Sequence, residues 1–171
     1  MRDRILFIAV FMCASICTKA QTPYTSTPDS TQPAVTILNG IISKYALQNN
    51  PAFTWYSSNQ SSYAPAIEIV NAMEKAKDSV QFVVFGGTWC EDTQFILPKF
   101  FKLQEQSGFS DRNISFFAVD RTKKTIGNIT TALGITNVPT IIVLKKGKEI
   151  GRVVEYGKTG KWDAELAELL K

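Results

Sequence analysis

Histidine does not occur in this chain of 171 residues, which removes the base of a serine hydrolase and the commonest nitrogen ligand of a catalytic metal. Cysteine is scarce: Cys13 and Cys17 fall in the first twenty residues, leaving Cys90 alone in the remainder. One cysteine without histidine does not make a zinc site, so no metal is expected and no cofactor. No glycine-rich loop of the phosphate-cradling kind is present, and no apolar run reaches the roughly 20 residues of a spanning helix. No basic stripe interleaved with aromatic residues occurs. The formal charge is +4, but Arg2, Arg4, Lys19 and Asp3 contribute to it, and without them 16 basic and 14 acidic side chains remain. A nucleic-acid partner is therefore not expected.

What is present begins with an export pattern. Arg2 and Arg4 precede the apolar run Ile5–Met12, and Thr18-Lys19-Ala20 ends it before Gln21. This reads as a signal peptide over residues 1–20, cleaved after Ala20, with a periplasmic or extracellular destination. Lipid attachment through Cys13 or Cys17 ranks second, because Met12 and Ile16 stand where small residues are favoured. A mature chain would hold Cys90 as its only thiol, unable to form an internal disulfide and open to a disulfide-linked homodimer.

The rest, 44% apolar overall, is enough for one domain with a real core. Residues 21–32, rich in Thr, Ser and Pro, read as a disordered tether. Val35, Leu38, Ile41, Ile42 and Tyr45 fit a helical stripe, so residues 33–50 are assigned to an N-terminal helical extension and residues 51–171 to the domain. Phe53–Tyr56 reads as a short strand. A helix follows from Pro65, with Ile69, Val70, Met73 and Ala76 on one face. The run 81–85 is a strand buried on both faces, and 93–106 is a helix stopped by Gly108. A strand over 114–119, a helix over 126–133, two strands over 141–144 and 150–154 joined at Lys145-Lys146-Gly147-Lys148, and a closing helix on Trp162, Leu166, Leu169 and Leu170 complete the order. Such alternation gives an α/β fold of three layers, a central mixed sheet between helices.

The chemistry concentrates at Trp89-Cys90-Glu91-Asp92-Thr93, which joins a buried strand to a helix. The helix N-terminus favours a thiolate on Cys90, whereas Glu91 and Asp92 place like charge beside it. Trp89-Cys90 after the strand, Pro98 five residues beyond Thr93, Val138-Pro139-Thr140 before a later strand, Gly147 and Gly157 occur together in an order that resembles the thioredoxin family, over Phe53 to Lys171. The resemblance implies that Cys90 is the nucleophile and that the Val138–Pro139 bond is cis. It also implies that Trp89, Val138, Pro139 and Thr140 form the surface on which an extended substrate lies. Trp89 reads equally well as a packing residue, and Glu91 and Asp92 as ordinary first-turn acids.

Two departures from the family pattern bear on mechanism. Thr93 stands where a resolving cysteine would be; its hydroxyl can donate to the Cys90 thiolate but cannot attack a disulfide. Val84 stands where the family keeps a buried acid. The expected function is monothiol exchange with protein or small-molecule thiols and disulfides. Against it stand a redox-inactive binding module using the Trp89/Pro139 face and, more weakly, a one-cysteine peroxidase passing through a sulfenic acid.

Overall fold

Apolar residues spaced three and four apart can also sit at alternate positions, and in the N-terminal region the alternate reading wins. In a computed structural model, which describes residues 23–171, β2 (Thr36–Ile42) is a strand that buries Leu38, Gly40 and Ile42 in turn. Three isoleucines and a threonine in seven residues favour a pleated backbone over a helix. β1 (Tyr24–Pro28) pairs antiparallel with it, Tyr24 opposite Gly40 and Pro28 opposite Thr36. The tether expected over 21–32 is therefore an edge strand from Tyr24 on, and the helix expected over 33–50 is a strand followed only by the short α1 (Lys44–Gln48). β1 is mostly exposed, so its composition carries no burial signal; backbone ladder bonds hold it instead. Gly40 is required for the pairing. Its φ is +125°, and a Cβ there would lie 2.4 Å from the Pro23 carbonyl oxygen. The export segment, Cys13 and Cys17 lie outside the described residues.

The strand expected at Phe53–Tyr56 is instead the approach to α2 (Trp55–Ser61), where Phe53 and Tyr56, three apart, both face inward. Beyond it the remaining elements come in the expected order: α3 (Ile67–Ala76), β3 (Val80–Gly86), α4 (Glu91–Gln106), β4 (Ile114–Ala118), α5 (Ile129–Ala132), β5 (Thr140–Lys145), β6 (Lys148–Val154) and α6 (Trp162–Leu169). The six strands form one mixed sheet in the order β1-β2-β4-β3-β5-β6, with β3 and β4 parallel and every other neighbouring pair antiparallel. Residue 51 is thus no domain boundary, because β2 is a full member of the sheet.

Alternation along the central strands builds two cores. Phe82, Val84, Phe116, Ile141 and Val143 point to one face, under α3, α4 and α6, with Met73, Leu97, Phe100 and Leu166. Phe85, Val119, Ile135, Val138 and Ile142 make the smaller core on the other face, beneath α5. Lys44 ties the N-terminal elements to the far end of α4. Buried, it donates to Gln104 Oε1 at 2.8 Å and pairs with Glu105 at 2.9 Å and Asp111 at 3.2 Å. Burial opposes its charge, but the two carboxylates outweigh that and hold the ammonium above its ordinary range. Pro98 leaves the Gln94 carbonyl without its helical donor; Asn59 of α2 supplies one, at 3.1 Å.

The turn after β1 is pinned by an acid. Asp29 is fully buried and pairs with Arg121. The Thr31 N–H at 2.8 Å and the Arg121 guanidinium hold its carboxyl down to about 2, against the opposing effect of burial. A depressed carboxyl stabilises the folded state above its unfolded value of 3.8 and loses that contribution as pH falls through about 2. The β1–β2 amide signals in NMR spectra are therefore expected to shift and broaden between those values before the central strands change. Asp29→Asn should abolish that acid step and loosen β1 already at neutral pH.

Candidate active site

The loop between β3 and α4 is built from small residues because a tryptophan folds back over it. A Cβ on Gly87 would come within 2.7 Å of the Trp89 ring, so glycine is what permits the turn. The indole Nε1 donates to the Val119 carbonyl at 3.0 Å, and the Arg121 guanidinium lies 5.2 Å from the ring centroid. Trp89 is thereby half-buried and fixed. Thr88 secures the other side of the loop: its hydroxyl donates to Thr36 O at 2.7 Å and accepts from Leu38 N–H at 3.1 Å. Gln94 closes the turn by donating to Thr88 O at 2.8 Å.

Cys90 is the N-cap of α4, in extended conformation, with its N–H bonded to Gly87 O at 2.9 Å. It is a free thiol, half-buried against the smaller core. The carbonyl of Val138 accepts a hydrogen bond from its Sγ at 3.2 Å, which brings the 137–140 loop against the thiol as the motif implied. The Val138–Pro139 peptide is cis. Glu91 and Asp92 occupy the first turn of α4, the former exposed and the latter half-buried.

Other sequence-predicted residues sit differently from expectation. Thr93 is 1% exposed, and its hydroxyl oxygen accepts from Gly87 N–H at 3.2 Å; it bonds the loop backbone and not the Cys90 sulfur. Val138, Pro139 and Thr140 are all buried. Thr140 donates to Asn137 O at 2.8 Å, so its side chain shapes the loop from within, and what this segment can present at the surface is backbone. Val84 is fully buried in the larger core. No cluster able to hold a metal ion occurs among the described residues, and no helix among them is long and apolar enough to cross a membrane.

Sequence reasoning missed the turn after β6. Tyr156 stands beside Asp92 and Cys90; burial first, then the Asp92 carboxylate, raise its phenol above the ordinary range, so it stays protonated at neutral pH. Its ring packs at 5.8 Å from that of Phe95, and both rings are exposed. Glu155, one residue earlier, bonds Asn137. Neither has a local motif, since only the closure of the sheet brings Tyr156 to α4 and Glu155 to Asn137.

A sequence model of the family described as thioredoxin matches residues 68–168. Thioredoxin-2, mitochondrial, of Schizosaccharomyces pombe is 31% identical over 93 residues, half of this chain and 65% of that protein, slightly under two thirds of its length. Thioredoxin-1 of Saccharomyces cerevisiae is 30% identical over 79 residues, 46% of this chain and 71% of the relative. Among solved structures, thioredoxin O1 from Arabidopsis thaliana in the oxidized state is similar at 30% identity and a TM-score of 0.40, over 64% of this chain and 96% of that one.

Proposed function

Because the chain belongs to the thioredoxin family, we propose that it carries out thiol–disulfide exchange through Cys90 as a lone nucleophile. The observation that carries the reading is the pairing of two facts. Cys90 caps a 16-residue helix within reach of the Val138 carbonyl, and the buried residue one turn on is Thr93. A thiolate at a helix N-terminus is favoured by the local N–H groups.

In the step proposed, the Cys90 thiolate attacks one sulfur of a disulfide. A new S–S bond forms to that sulfur, the old one breaks, and the departing sulfur leaves as a thiolate that takes a proton from water. Thr93 cannot reverse this. Release needs a thiol from outside or the substrate's own second cysteine, whose thiolate attacks the mixed disulfide and frees Cys90. The sum is exchange or isomerisation of disulfides with no net oxidation. An exported location, supported by the pattern of residues 1–20, would supply disulfides as substrates.

With excess aromatic disulfide, and with Cys13 and Cys17 replaced by serine, intact-mass measurement is expected to find one adduct, on Cys90, that persists until an external thiol is added. Cys90→Ser should give none. An adduct that releases itself would overturn the monothiol reading. Absence of any adduct would overturn exchange altogether and favour a binding module.

A further inference from the structure

Glu155 has φ of +51°, a left-handed conformation unfavourable for any residue with a Cβ. Two bonds hold it there. Its N–H donates to Pro139 O at 2.8 Å, and its carboxylate Oε1 accepts from Asn137 Nδ2 at 2.8 Å. The same short loop is tied once more, by the Thr140 hydroxyl on Asn137 O. Val138 lies between these anchors, and its carbonyl is the one that accepts from the Cys90 thiol at 3.2 Å.

We propose that Glu155 is a positioning residue whose side chain latches Asn137 and so holds the Val138 carbonyl on the Cys90 sulfur, keeping the resting thiol protonated. A carbonyl oxygen accepts from S–H but repels a thiolate, so its fixed position favours the acid form. The inference rests on Cys90 being the exchange nucleophile. It adds that the pace of attack is set from the opposite side of the site, by a residue that does not touch substrate. Other groups facing Cys90 are Glu91 and Asp92 on α4 and the Tyr156 phenol. The two acids oppose the thiolate, the protonated phenol is neutral, and the α4 N-terminus favours the thiolate. None of these changes when the latch is cut. Glu155 also carries a charge of its own, which has to be separated from its bond.

The test is the rate of Cys90 alkylation by a neutral reagent as a function of pH, on the full chain, followed at the Cys90 peptide by mass spectrometry so that Cys13 and Cys17 do not contribute. Glu155→Ala and Asn137→Ala break the latch from either end. Each is expected to move the profile to lower pH and raise the neutral-pH rate about three- to tenfold, the value of one neutral hydrogen bond, with an unchanged plateau at high pH. A loosened, more accessible site would raise the plateau as well. Glu155→Gln removes the charge but keeps the acceptor, and should recover most of the parent profile. If the glutamine variant behaves like the alanine variant, the charge and not the latch sets the rate. If both alanine variants keep the parent profile, the latch is without effect. Either result overturns the proposal. Failure of the exchange reading shows separately, as alkylation that follows the latch while no disulfide adduct forms.

Discussion

Thr93→Cys is expected to give the proposed lone nucleophile a resolving thiol, so that the protein turns over and does not stop at a mixed disulfide. Position 93 lies on the first turn of α4, three residues after the N-cap Cys90. Side chains three apart on a helix have Cβ atoms about 5–6 Å apart, close enough for small adjustments to meet disulfide geometry. The Thr93 side chain already points into the loop, where its oxygen meets Gly87 N–H. A sulfur there loses most of that bond, at a cost of roughly 0.5–1.5 kcal/mol, and gains a position from which to attack. Mass spectrometry should find a disulfide between Cys90 and the introduced thiol after oxidation. An assay of disulfide reduction driven by a reductant that opens the internal disulfide but supplies no small-molecule thiol should rise from a single turnover to many. Turnover should stay slow, because Val84 offers the second thiol no proton acceptor. If no internal disulfide forms, Cys90 and position 93 do not face each other, and the reading of Thr93 as the missing resolver fails.

The second large effect is structural. Phe82, at the centre of β3, is fully buried and packs edge-on against Phe100 at 5.4 Å and tilted against Phe109 at 4.7 Å. Truncation removes a ring from the place where β3, α4 and the segment after α4 meet, and the backbone of a central strand cannot close the gap. Phe82→Ala should cost about 3–5 kcal/mol, lowering the melting temperature by roughly 10 °C or more in a domain of this size. Denaturant unfolding should show a lower midpoint with an unchanged slope. A loss under about 1 kcal/mol would mean that the core repacks around the space.

How far this could be read from the sequence depended on the range of the forces at work. β3, β5 and the closing helix were legible because their burial is local and periodic: QFVVF fills both faces of a central strand, and Trp162, Leu166 and Leu169 repeat at helical spacing. Cys90 and Pro139 were legible through motifs. The N-terminal third was misread for a physical reason. β1 is held by backbone bonds and the turn after it by one ion pair from Asp29 to Arg121, 92 positions away, and neither leaves a mark in local composition. β2 offered apolar residues whose spacing suits both periods, and only its edge-to-edge partner, β4, decides between them. The same limit hid Glu155 and Tyr156, whose relation to Cys90 exists only after β6 has docked on β5.

The Thr88 hydroxyl has a consequence for the order in which the protein folds. Opposite β4, β2 is paired only over Gly40–Ile42; nearer its start, Thr88 supplies side-chain bonds to the Thr36 carbonyl and the Leu38 N–H. Thr36 and Leu38 therefore stay incomplete until a loop some fifty positions later has turned into place, and that loop in turn lacks its outer anchor until they arrive. Such long-range closure slows folding. It also makes the region that matches the family, residues 68–168, insufficient by itself. A fragment cut to those limits would be left with a bare β4 edge, which invites pairing with other chains, and with a cysteine-bearing turn that keeps its bonds to Val119 and Val138 but loses the Thr88 anchor to β2.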